Sequence, residues 1–437
     1  MKYKDFIDIK YRPSKNDLIC IKYRPSKNDL ICSFYIEPNK VSFKEAAGAV
    51  ASESSVGTWT KSLSTETKEV LKFLHKIQAR VFEIDGNYIK IAYPLELFEL
   101  GNMPQIMSSI AGNIFGMKAV KNLRLQDVEF PKKMINSFKG PKYGIEGIRK
   151  ILKIKDRPIC GTIIKPKLGL NAKQHAKVAY DAWVGGIEIV KDDENLSNAK
   201  FNNFKERVIE TLKMRDKAEK ETKEIKIYMP NITSETNEML KRAEFVKKNN
   251  GEYVMLDIIT LGWSALQTFR NKDFNLILHA HRAGYAALAR NKKHGISMLT
   301  IAKIARLIGV DQLHIGTAVG KMEGSKKEVM DLEEEIEKEI IYSNKSEHIL
   351  EQKWYNIKPV FAVASGGLHP LLVPKLNKIL GNNVIMQFGG GCHAHPQGTK
   401  AGAKAIRQAI DATMQRIPLK EYSKKHEELK MAIEKWG

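Results

Sequence analysis

The stretch Gly186–Asn195, GIEIVKDDEN, runs from an apolar, β-branched segment straight into four consecutive ionisable residues. Strand alternation puts Lys191 and Asp193 on one side, with Glu194 just past the strand end where the backbone turns. Taken alone, such a run has the composition of a solvated ion-pair cluster. What decides its meaning is that it recurs. From about residue 158 the chain alternates short β-rich runs with amphipathic helical stretches: CGTIIKP, GIEIVKDD, IKIYMPNIT, YVMLDIIT, NLILHAHR, DQLHIGTA, PVFAVASGG and VIMQFGGG. Apolar strands separated by helices imply a parallel sheet covered on its faces, and eight such units close a (β/α)8 barrel. Residues 1–140 instead mix β-like runs (DLICSFYIEP, YIKIAYPLELF) with helical ones (SFKEAAGAVASES, ETKEVLKFLHKIQARV). The fold class is therefore α/β: a C-terminal (β/α)8 TIM barrel over 141–437, preceded by a small α+β domain over 1–140.

Nearly every barrel run ends in groups able to do chemistry: Lys165; Lys191 with Asp193 and Glu194; Asn231; Asp257; His279, His281 and Arg282; His314; Ser365; and Gly389 to Gly391. Barrel enzymes place their active sites at that face. Two carboxylates form a partial oxygen shell suited to Mg²⁺, which keeps room for water and substrate. A lysine ammonium has no lone pair to offer such a shell. Lys191 could join it only as an anionic derivative, for example a carbamate formed with carbon dioxide. SGGLHP (365–370) and QFGGGCHAHP (387–396) follow the seventh and eighth strands, where glycines let backbone N–H groups approach a phosphate. Across the mouth, His281, Arg282 and His314 could hold a second anion, so the pattern suits a substrate phosphorylated at both ends. Lys165 and Lys167 share a face of IKPKLGL, where neighbouring cations can tune a lysine for proton transfer. Lys321, between the glycines of GTAVGKMEG (316–324), reads as a lid cation.

The remaining features bound the function. The dodecapeptide IKYRPSKNDLIC occurs at 9–20 and again at 21–32, a tandem duplication of which one copy can occupy the native strand position while the other loops out. Lys and Arg number 72 against 50 Asp and Glu, a net charge of +22. Both signs interleave at helical spacing, so the reading is solvated helix faces and a field attracting an anionic substrate, rather than nucleic-acid binding. Cys20, Cys32, Cys160 and Cys392 lack CxxC spacing and read as reduced structural residues. No apolar run reaches a membrane span and no signal-peptide core opens the chain, so a cytoplasmic protein without membrane partners is expected.

These residues resemble a known family. GTIIKPKLGL, GGIEIVKDDEN, HAHRA, HIGTAVGKMEG, SGGLHP and QFGGG occur in the order found in the large subunit of ribulose-1,5-bisphosphate carboxylase/oxygenase (RuBisCO), and the resemblance runs from about residue 40 to 415, with wording similar to the archaeal form III branch. The resemblance implies one Mg²⁺ per active site, held by carbamylated Lys191, Asp193 and Glu194. That carbamate would take the C3 proton of ribulose bisphosphate to give a metal-stabilised enediolate, which then meets carbon dioxide or, in competition, oxygen. Lys165 resembles the final proton donor with Lys167 tuning it, His281 a base in hydration, and Lys321 the lid residue on the new carboxylate. Arg282, His314, Ser365, Gly366, Gly367, Gly389 and Gly390 match substrate and phosphate contacts. ESSVGTWT supplies Glu53, Thr58 and Trp59, and GNIFGMKA supplies Asn113, which in the family reach a neighbouring subunit's barrel. A homodimer or higher oligomer of dimers with shared active sites follows, with no small subunit and, in the archaeal branch, a role in AMP breakdown. An enolase- or isomerase-like relative acting on another phosphorylated ketose is the nearest alternative; such relatives lose several of the residues retained here. The departures are Ile163, where the plant-type family has a substrate-contacting threonine, and the loop GCHAHP.

Overall fold

The computed structural model describes residues 3–7, 25–57, 67–319 and 326–437. The chain divides into two compact units: residues 1–139 with 284–307 and 338–357, and residues 140–283 with 308–337 and 358–437.

The first unit is built on a five-stranded sheet. Leu30–Pro38 lies between Tyr88–Tyr93 and Val120–Glu129, antiparallel to both, with Arg80–Asp85 on one edge and Gly295–Ile296 on the other. The second copy of the duplicated dodecapeptide supplies Leu30–Cys32, the start of the central strand; the first copy, with Cys20, falls outside the described residues. Residues 284–307, which lie in the stretch read as barrel, group with this unit for two local reasons. Gly295–Ile296 pairs in parallel with Arg124–Leu125. Lys303, fully buried, meets the equally buried Asp127 at 2.7 Å, and a buried charge needs such a partner.

The second unit is the barrel. Its strands are Ile159–Ile163, Ile189–Lys191, Ile227–Met229, Tyr253–Asp257, Ile277–His281, Gln312–Gly316, Phe361–Ser365 and Val384–Phe388, one for each run recognised in the sequence. They pair in parallel in the order 3-2-1-8-7-6-5-4, and a parallel bridge between Asn231 and Met255 joins strands three and four to complete the circle. Inside lie Ile159, Ile189, Ile227, Met229, Tyr253, Met255, Ile277, Phe361, Val363 and Ile385; Ile145, Ile148 and Leu152, one face of the helix Gly144–Leu152, pack against them. Each such burial is worth about 1.5–3 kcal/mol. Capping asparagines start the helices after strands one and two: Asn171 forms a capping box for Ala172–Val184 and Asn203 caps Phe204–Thr222. Among the described residues no helix is long and apolar enough to cross a membrane.

Glu188, one residue before the second strand, is 1% exposed at the end of the barrel opposite the catalytic groups. Its Oε1 lies 2.6 Å from Arg157 and 2.5 Å from Arg407, and its Oε2 accepts the Cys160 N–H at 2.8 Å. Burial pushes this carboxyl up, but the two guanidiniums outweigh it and hold the group below the ordinary glutamate value. A carboxylate depressed in the folded state stabilises above its unfolded pKa of roughly 4.3, and that contribution is lost as pH falls through the lower folded value. Glu188→Gln should therefore cost about 3–5 kcal/mol in urea unfolding at neutral pH, because it removes the buried carboxylate that Arg157 and Arg407 share. The gap should close on acidification below about pH 4. Equal stability of variant and parent at neutral pH would contradict this role.

Candidate active site

The KDDE run separates into two sets by strand alternation. Asp192 is fully buried. Its Oδ2 lies 3.1 Å from Arg207 Nε and accepts the Asn231 N–H at 3.0 Å. Its Oδ1 accepts the Tyr228 hydroxyl at 2.8 Å and lies 3.1 Å from His175 Nε2. Burial pushes the carboxyl up, yet Arg207, His175 and the Asn231 N–H bring it down to about 2. Asp192 is thus neutralised from behind by groups on two helices and the third strand.

Lys191 and Asp193 belong to the other side. Asp193 is 2% exposed, and its Oδ2 takes a hydrogen bond from Lys165 Nζ at 2.7 Å. Lys191 is 1% exposed. Its Nζ donates to the Asp192 carbonyl oxygen at 2.8 Å and to Met255 Sδ at 3.2 Å, while the Glu194 carboxylate stands 3.9 Å away. Burial drives the Lys191 amine below the ordinary lysine value, although Glu194, Asp193, Asp257 and Asp192 all pull it up. Lys191 is therefore not the counter-ion of Asp192 or Asp193. It is a desolvated amine whose nearest acceptors are a carbonyl and a thioether.

A chain of imidazoles continues around the rim. His281 Nδ1 lies 2.6 Å from Asp257 Oδ1, so Nδ1 carries a proton that Asp257 accepts, and Nε2 stands 3.8 Å from Glu194. Next to it, the His279 and His314 rings meet edge to face, and their Nε2 atoms are 2.9 Å apart. His279 Nδ1 donates to Gln312 Oε1 at 2.8 Å, which makes His279 Nε2 the acceptor and His314 Nε2 the donor. Burial, reinforced by neighbouring positive groups, holds both rings well below the ordinary histidine value, so this tautomer chain stays neutral. Arg282 crowds Gly316: a Cβ added there would come within 2.7 Å of its guanidinium.

The glycine loops close the circle. Gly366 and Gly367 take φ of +125° and +68°, backbone that L side chains rarely adopt. Gly389 lies against Lys165, whose Cε would sit 3.6 Å from an added Cβ, and Gly390 opens onto free space. The loop that departs from the common family form ties back to strand one. His393 Nε2 is 2.9 Å from both the Ile163 carbonyl and the Thr162 hydroxyl, and Thr162 in turn donates to the Phe388 carbonyl at 2.6 Å. Lys167, more exposed, bonds Asn195 Oδ1 at 3.1 Å. Ser365 ends the seventh strand.

In the first unit, Glu53 ends the helix Phe43–Glu53 and Asn113 begins the short helix Asn113–Gly116. Thr58, Trp59 and Lys321 lie outside the described residues. Sequence reasoning did not assign His175, Arg207, Tyr228, Gln312 or His393 to the site. Asp257 was legible as a polar strand end, but its partnership with His281 crosses between neighbouring strands.

A parallel eight-stranded barrel that gathers carboxylates, lysines and histidines at the C-terminal ends of its strands is a (β/α)8-barrel enzyme. Residues 144–436 match the model of the ribulose bisphosphate carboxylase large chain, catalytic domain, and residues 21–134 that of its N-terminal domain. The chain is 52% identical over 441 residues to the ribulose bisphosphate carboxylase of Methanosarcina mazei, covering 99% of each. It is 51% identical to that of Methanocaldococcus jannaschii, covering 99% of this chain and 100% of the relative. Among solved structures, a dimeric archaeal Rubisco from Hyperthermus butylicus superposes with TM-score 0.91 at 43% identity, covering 100% of this chain and 99% of that one. An octameric Rubisco from Pyrococcus horikoshii OT3, crystallised with sulfate ion, gives 0.89 at 46%, covering 100% and 97%. The chain belongs to the ribulose bisphosphate carboxylase large-chain family.

The pairing at Asp192 has a direct test. Arg207→Met should cost about 3–5 kcal/mol in urea unfolding, because it strips a buried carboxylate of its guanidinium. Lys191→Met, which replaces a buried amine by an apolar chain of similar length, should be near neutral or stabilising. The reverse order would restore Lys191 as the counter-ion.

Proposed function

We propose that the chain carboxylates ribulose 1,5-bisphosphate to two molecules of 3-phosphoglycerate, with oxygenation as the competing reaction. The observation that carries this reading is the desolvated Lys191 amine beside Asp193 and Glu194, with Lys165 at 2.7 Å from Asp193. Among the described residues no group of three His, Cys, Asp or Glu has the arrangement to hold a metal. Two carboxylates alone leave a hard cation short of anionic oxygens. Lys191 supplies the third if its neutral amine, favoured by burial, adds to carbon dioxide: the N–C bond forms, one proton passes from the nitrogen to water, and a neutral amine becomes an anionic oxygen donor. With that carbamate the residues fit Mg²⁺, held by Lys191, Asp193 and Glu194. When bound it would supply a Lewis acid for the negative charge that develops on the substrate.

The protein's own groups account for the proton traffic and the binding. The Lys191 carbamate takes the proton from C3. His281 Nε2, its tautomer fixed by Asp257, accepts a proton from the water that hydrates the carboxylated ketone. Lys165, the ammonium nearest the carboxylates, protonates the carbanion left after C–C cleavage, with Lys167 contributing to the local positive field. Ser365, Gly366, Gly367, Gly389 and Gly390 receive one phosphate on backbone N–H groups, and Arg282 with His314 the other. Lys321 contacts the new carboxylate.

Relatives described as dimeric and octameric support a homodimeric unit for this chain. In it Glu53, Thr58, Trp59 and Asn113 would complete the neighbouring subunit's site, without small subunits, in the cytoplasm. The archaeal relatives and the form III resemblance support a role in AMP and nucleoside breakdown. Incubation with ribulose bisphosphate, Mg²⁺ and labelled bicarbonate should yield labelled 3-phosphoglycerate, and Lys191→Ala should abolish it. Undiminished label from Lys191→Ala would eliminate the carbamate. Absence of label from the parent would eliminate the carboxylase reading.

A further inference from the structure

The helix Glu427–Trp436 follows the eight strand–helix repeats, and no motif in the sequence gives it a task. Its side chains and backbone nevertheless reach both glycine loops. The Trp436 indole stacks on the His369 imidazole, with ring centroids 5.7 Å apart and planes 20° from parallel; His369 is two residues beyond Gly367. On the other loop, His395 Nε2 donates to the Glu428 carbonyl at 2.9 Å, and Lys435 Nζ donates to the Ala394 carbonyl. The helix is itself firmly held. Leu429 and Ala432 are fully buried, and the Glu428 carboxylate takes Lys404 at 2.7 Å and Gln408 at 2.8 Å.

The two loops also press on each other. A Cβ added at Gly391 would fall 2.1 Å from the Leu368 carbonyl oxygen and 2.7 Å from His369 Cα, both backbone atoms with no room to give. A shift of His369 is therefore passed to the eighth-strand loop. His369 Nδ1 is buried and has no hydrogen-bond partner, so at that nitrogen packing rather than a hydrogen bond orients the ring. The Trp436 face is the aromatic surface against it.

We propose that Trp436 is a positioning residue: by stacking on His369 it seats the SGGLHP loop against the QFGGG loop and sets the spacing of the backbone N–H groups that receive a phosphate. The inference rests on the reading of these loops as the phosphate cradle, and it concerns affinity for a phosphorylated ligand rather than proton transfer. Losing one aromatic contact corresponds to a roughly 3- to 10-fold change in affinity.

The test compares Trp436→Leu and Trp436→Phe with the parent in the full chain. Leu keeps an apolar side chain without a ring face, whereas Phe keeps the ring. Two readouts are taken: the KM and kcat for ribulose bisphosphate, and the Kd of inorganic phosphate by calorimetry, which needs no turnover. Trp436→Leu should raise both KM and the phosphate Kd about 3- to 10-fold and change kcat less than about twofold, and Trp436→Phe should recover most of the loss. Unchanged KM and phosphate Kd in Trp436→Leu, with or without a lower melting temperature, would make the helix merely structural and overturn the proposal. A drop in kcat with unchanged KM would overturn it as well. If the parent turns over no bisphosphate, the carboxylase reading fails, and the phosphate Kd still decides whether Trp436 sets the loops.

Discussion

The buried Asp192 carboxylate is the constraint on which the catalytic end of the barrel depends. It receives Arg207 from the second helix, His175 from the first, and Tyr228 and the Asn231 N–H from the third strand and its end. One side chain thus ties together three successive strand–helix units. A charge this deep is tolerated only when its partners are in place, so these units must dock in a single arrangement. Once Asp192 is fixed on the outer side, alternation leaves Lys191 and Asp193 no choice but the inner one. The second strand's end is set by what lies behind it.

That arrangement accounts for a lysine with an unusual environment. A cation among carboxylates would ordinarily be held charged. Here Asp192 is engaged by Arg207 and Asp193 by Lys165, Glu194 stands 3.9 Å off, and the Lys191 nitrogen faces a carbonyl and a thioether. Across the rim His279 and His314 stay neutral as well, because burial and the neighbouring positive groups disfavour the imidazolium. Lys165 and Lys167 follow the first strand and Arg282 the fifth, so basic side chains stand at two of the strand ends.

How much of this could be read in advance follows the range of the interactions. The eight strands were legible because each is a short apolar run bounded by turn residues, a local signal, and the candidate site groups stood out because they end those runs. Lys191, Asp193 and Glu194 stand within four residues of one another. What supports them does not. Arg207 is 15 residues from Asp192 and Tyr228 is 36, while His393 reaches Ile163 across 230 residues; no spacing rule connects such pairs. The grouping of residues 284–307 with the first unit was hidden for the same reason, since it rests on a two-residue parallel pairing and on one buried lysine. The loop GCHAHP looked like a mere departure from the family form until its two histidines were seen to hold opposite sides, His393 the first strand and His395 the helix Glu427–Trp436.

The joint between the third and fourth strands differs from the rest of the barrel. Strands four and five share a five-residue register, whereas three and four meet through the single Asn231–Met255 bridge, with the backbone bonds Ile232 N–H to Met255 O at 3.1 Å and Met255 N–H to Pro230 O at 2.9 Å. Segments with few ladder bonds open at lower free energy than the rest of a domain and lose amide protection first. Met255 is the residue whose sulfur touches Lys191, and Asn231 is bonded to both Asp192 and the Glu194 carbonyl. The barrel's sparsest pairing thus lies beside the Lys191 amine, so the enclosure of a nitrogen that is 1% exposed depends on the joint that opens most readily.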